Sequence, residues 1–148
     1  MTALLNVNSI ERSLMTMRAS VGQLEAIGPV DTGRLAGDPA VGLVVERVLA
    51  LLADLACAIN RQISAAVLGE VPGTAAGSFA SVARTGAIDG QLAIALTPSE
   101  GPHHVLVQLL MDTEPQAVAP VVSAALSGYR DYEQQIADWV SSGSKSGI

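Results

Sequence analysis

Aromatic side chains make up only 3% of the 148 residues, with a single Trp and a single Phe. That scarcity disfavours an aromatic-rich β-sandwich, and a core of Ala, Val, Leu and Ile suits closely approaching helices instead. Cysteine is scarcer still. The lone Cys57 rules out an intrachain disulfide and supplies no metal-ligand spacing. Within an apolar helix it reads as a buried structural thiol. Lys and Arg together number 8 against 14 acidic residues, for a net charge of −6. The basic residues are scattered, so no stripe exists to neutralise a phosphate backbone, and autonomous RNA binding is disfavoured. A partner that brings positive surface, or an enzyme that touches one or two phosphates, would escape that argument. No apolar run reaches about 18 residues without a charge or proline, so no membrane partner is expected. The N-terminus has neither the basic region nor the cleavage site of a signal peptide, and the expected location is cytoplasmic.

What the chain has in plenty is aliphatic periodicity. Hydrophobic residues account for 49% of it, ample for one core, and a single domain is expected over residues 1–140 with a flexible tail at 141–148. The stretch from Asp38 to Leu68 organises the rest. Val41, Val45, Val48, Leu52, Leu55 and Ile59 recur at steps of four and three and form one stripe of a helix. Asp38 is a suitable N-cap, Pro39 fits the first helical position, and Gly69 ends the run. An earlier helix carries Val7, Ile10, Leu14, Met17, Val21 and Leu24, with Asn8 and Glu11 read as its capping box and Gly28-Pro29 as its stop. A short connector around Arg34 to Ala36 makes these two helices antiparallel neighbours.

The segment GEVPGTAAG reads as a loop. Ser78 to Arg84 then forms two turns closed by Gly86, and Asp89 caps a short helix through Leu96. Thr97 to Glu100 offers a restart, with Pro102 either kinking the new helix or standing in its first turn. A third long helix follows the Thr113, Pro115 and Gln116 signals and carries Val118, Val122, Ala125, Tyr129, Tyr132, Ile136 and Val140. Pro120 should bend or shorten its beginning. The fold class is all-α: three long helices plus two or three short ones in an antiparallel, four-helix-bundle-like arrangement. The surplus of apolar helix surface in so short a chain suggests a homodimer.

Three segments, VERVLALLADLACAI, SFASVARTGAIDGQLA and PHHVLVQLLMDTEPQAV, followed by the terminal helix, together resemble the HepT-like branch of the HEPN superfamily. The resemblance runs from about Ile10 to Val140. It implies an antiparallel helical bundle, a homodimer, and a ribonuclease toxin paired with a minimal nucleotidyltransferase antitoxin. The family's chemistry lies in an Arg-Asn-x-x-x-His motif, usually followed one residue later by Tyr. Arg grips a phosphate through paired hydrogen bonds, His acts as acid or base while the 2′-hydroxyl attacks, and Tyr is the site of nucleotidylation.

This sequence departs from the motif at each position. Alignment on Val105-Leu106-Val107 places His103 at the Arg, His104 at the Asn, Gln108 at the His and Leu110 at the Tyr. Gln108 does not titrate, and Leu110 has no hydroxyl to modify. The expected protein is therefore a HepT-like dimer with lost or weakened ribonuclease activity, partnered by a nucleotidyltransferase. Residual cleavage would use His103 or His104. Adjacent helical positions point about 100° apart, which argues against the two working as a pair. A bundle that binds a nucleotide or other small ligand between its helices is the competing reading. On the long helix, Asp54 either lines a polar cleft or dimer seam or is simply solvated, and Arg47 with Glu46 suggests a structural ion pair ahead of a phosphate contact. With two His and no thiolate cluster, neither a metal nor another cofactor is expected.

Overall fold

The computed structural model describes residues 5–28, 37–97 and 118–145. They form five helices and no strand: α1 (Val7–Ile27), α2 (Pro39–Leu68), α3 (Ala75–Arg84), α4 (Gly90–Leu96) and α5 (Val118–Lys145). Among the described residues the protein is all-helical.

Local chemistry sets most boundaries. Asn6, not Asn8, caps α1: its side chain accepts from Ser9 N–H at 3.0 Å, and its carbonyl accepts from Ile10 N–H at 3.1 Å. The expected capping box is thus displaced by two residues, and Asn8 lies inside the first turn. Gly28 ends α1 with φ +85°, a conformation that a Cβ would strain. Asp38 and Pro39 start α2 as expected, although the Asp38 side chain makes no capping bond, and Gly69 closes the helix in the left-handed conformation.

The GEVPGTAAG segment is only partly a loop. Thr74 caps α3 by accepting from Gly77 N–H at 2.9 Å, so Ala75 to Gly77 already belong to the helix. Gly and Pro dominate the segment's composition and mask the helix start within it. Asp89 caps α4 as expected, its carboxylate accepting from Leu92 N–H at 2.7 Å. Pro120 stands in the first turn of α5, where a missing N–H breaks no bond within the helix. At the other end, Ser141 to Lys145 continue α5, whereas Ser141 onward reads as a tail from composition. The Arg34–Ala36 connector and the prolines at 98 and 102 lie outside the described residues.

Packing closes the helices into a ring in which α1 lies against α2 and α5, α2 against α3, α3 against α4, and α4 against α5. Ser9 near the start of α1 accepts from Gln62 Nε2 near the end of α2, at 3.4 Å, so these consecutive helices run in opposite directions. Two ion pairs, Arg18–Glu133 and Glu25–Arg130, tie α1 to α5, also antiparallel. Gly128 admits Leu96: a Cβ there would stand 2.9 Å from the leucine's Cδ2, so the absent side chain lets α4 sit close on α5.

The core is one contiguous cluster with contributions from all five helices, among them Ile10, Met17, Leu52, Ile59, Phe79, Leu92 and Ile136. Most of the registers expected for α1 and α5 are buried: Ile10, Leu14, Met17, Val21 and Leu24 on α1, and Val122, Tyr129, Tyr132, Ile136 and Val140 on α5, while Val7 and Ala125 at the same faces are half-buried. Each large aliphatic side chain buried this way contributes about 1.5–3 kcal/mol of transfer free energy, which is what holds the ring together.

Candidate functional site: a buried polar centre and an outward helix face

On α2 the apolar register is interrupted inside the core, where Asn60 and Ser64 are completely buried beside Ile59 and Ile63. A buried amide is costly unless its donors and acceptors are met. Asn60 meets them through two other helices. Tyr132 of α5 donates its hydroxyl proton to Asn60 Oδ1 at 2.5 Å, with the Ala56 carbonyl at 3.1 Å as a second acceptor. Asn60 Nδ2 donates to Ser78 Oγ of α3 at 3.2 Å, and Ser78 in turn donates to the Ala75 carbonyl at 2.7 Å. Phe79 meets Tyr132 edge-on, with ring centroids 6.2 Å apart at 70°. The centre thus joins α2, α3 and α5 across the ring.

Around it, burial keeps acids protonated. Tyr129 is pushed up to about 12 by desolvation first, with smaller contributions from Cys57 and Asp54. Tyr132 is raised well above its ordinary value for the same leading reason. The half-buried Cys57 thiol is also raised by burial, partly offset by a hydrogen bond with Ser78 and by the charge of Arg61. A thiol so placed is poorly nucleophilic near neutrality. None of these three is set up to exchange a proton near pH 7. Ser64 Oγ and Gln62 Oε1 are buried with no hydrogen-bond partner among the described residues. The hydrogen bonds of Asn60, Ser78 and Tyr132 make a neutral network which fixes helix register.

The opposite face of α2 differs. Arg47 and Asp54 are exposed there, along with Ala58 and Arg61, and Val44 and Leu51 lie in the same stripe. Glu46, beside Arg47, is half-buried. His103, His104, Gln108 and Leu110, the positions of the degenerate motif, lie outside the described residues. Among the described residues, no group of three His, Cys, Asp or Glu side chains is placed to hold a metal ion. No described helix is long and apolar enough to cross a membrane.

The sequence does not announce the polar centre as a unit. Its one trace in the sequence is the pair Asn60 and Ser64, four residues apart in a register otherwise filled by Ala56, Ile59 and Ile63. The periodicity puts Tyr132 in the buried register, and only the fold supplies its partner. No protein-family model matches the chain, and comparison with curated proteins gives no match.

Proposed function

We propose that this chain is a HepT-like protein of the toxin–antitoxin type: an antiparallel, four-helix-bundle-like homodimer, cytoplasmic, partnered by a nucleotidyltransferase, its ribonuclease activity lost or weakened. The observation that carries the reading is the replacement of the motif within an otherwise ordered resemblance. Gln108 stands where the family places its titrating His, and general acid–base help is worth about 10²–10⁴ in rate. The described helices support the same reading. Their buried tyrosines and Cys57 hold their protons far above neutrality and do not replace the missing acid or base. The outward face of α2 leaves apolar surface available for a partner.

Cleavage of RNA by the purified protein, beside the double variant His103→Ala and His104→Ala with folding verified, tests the proposal. The expected result is no cleavage by either, with co-purification of the neighbouring gene's product. Cleavage that vanishes in the variant would overturn the loss of activity and favour a residual nuclease built on the two histidines.

A further inference from the structure

We infer that the outward face of α2 is where two copies of this chain associate, antiparallel about a two-fold axis at Leu51. This rests on the homodimer of the preceding reading and names its surface. The stripe Val44, Arg47, Leu51, Asp54, Ala58 and Arg61 repeats at steps of three and four on the side of α2 away from Val45, Val48, Leu52, Ala56 and Ile59. Leu51 is 40% exposed, Val44 47% and the neighbouring Leu43 69%, so an apolar strip faces outward on a helix already buried on its other side.

The charges choose the occupant. Arg47 and Asp54 flank Leu51, one helical turn to each side, and neither makes an ion pair among the described residues. A two-fold axis through Leu51 brings Arg47 of each copy to Asp54 of the other, so opposite charges meet twice and leucine meets leucine. Parallel pairing would instead set Arg47 against Arg47 and Asp54 against Asp54. A face complementary to itself in one sense only is what a closed, isologous dimer requires. Ala58 and Ala40 are small enough for the helix axes to come within about 8–10 Å along the strip.

Sedimentation velocity on the full chain tests this, with circular dichroism to verify folding of each variant. The wild type is expected to be a dimer. Arg47→Glu and Asp54→Arg should each raise the dissociation constant by at least about tenfold, because like charges then face each other. The swapped double variant, Arg47→Glu with Asp54→Arg, should recover to within about threefold of the wild type, since each removed attraction is rebuilt in reverse. Leu51→Asp should sediment as a folded monomer. A wild-type dimer indifferent to all four variants would overturn this face while leaving the homodimer standing. A wild type that stays monomeric at every concentration would overturn both.

Discussion

The inner and outer faces of α2 follow the same alternation of three- and four-residue steps, but they meet different surroundings. Inward, Val45, Leu52, Ile59 and Ile63 are fully buried, and the buried Asn60 is matched by Tyr132 and Ser78. Outward, Leu51 alternates with Arg47 and Asp54, all at least partly in water. The difference teaches that periodicity locates a helix face without saying what covers it. A polar residue inside must find its partner within the fold. A charged residue outside is left to pair with something beyond it, and its cost to monomer stability is small in either case.

Substitutions separate the two faces by size of effect. Tyr132→Ala should have the largest, about 3–5 kcal/mol lost in denaturant unfolding, because it empties a fully buried aromatic site and orphans Asn60. An effect no larger than that of a surface change would break the comparison. Tyr132→Phe keeps the ring and removes only the hydroxyl. It should cost about 1–3 kcal/mol, the penalty of leaving Asn60 Oδ1 unpaired.

The alkaline limb of stability sharpens the same point. Tyr129 is held at about 12 against an ordinary value of 10.0, so between those pH values the folded state binds more protons than the unfolded one. Stability is therefore unaffected by this group below pH 10 and falls as pH rises toward 12. Melting temperature against pH should show that fall, and Tyr129→Phe should make it shallower without abolishing it, since the buried Tyr132 contributes in the same direction. A variant with an unchanged alkaline slope would show that Tyr129 is open to water.

Thr74→Ala removes the cap of α3 and should cost about 1 kcal/mol. Ser64→Ala, one turn from Asn60, sharpens the comparison by its sign. The Ser64 hydroxyl is buried without a partner among the described residues, so the change should be neutral or stabilise by up to about 1 kcal/mol. A clear loss would reveal a partner for that hydroxyl. Least affected should be Arg47→Glu, whose effect on the stability of the dissociated chain should stay within about 0.5 kcal/mol.

Much of the fold could be read in advance, and its misses have definite causes. Pro39, Gly69 and Asp89 act within a turn of their own positions, and they stand where the sequence suggested. Asn6 and Asn8 compete two residues apart for one role, and the one chosen also brings Ile10 into the helix through its carbonyl. Ser141 to Lys145 stay helical although Ser and Gly favour other conformations, because α5 is already propagating when it reaches them. Of the residues singled out for chemistry, Arg47 and Asp54 can be placed on a face. The motif positions from His103 to Leu110 lie outside the described residues.

Helix existence, helix ends and the inward register were set within the sequence, because each depends on residues no more than a turn or two apart. The polar centre needed the assembled fold. Tyr132 and Asn60 are 72 residues apart, and Asn60 and Ser78 are 18 apart. No local pattern specifies which hydroxyl will answer a buried amide; that follows only once the apolar faces of α1, α3 and α4 have brought α2 and α5 to opposite sides of one core.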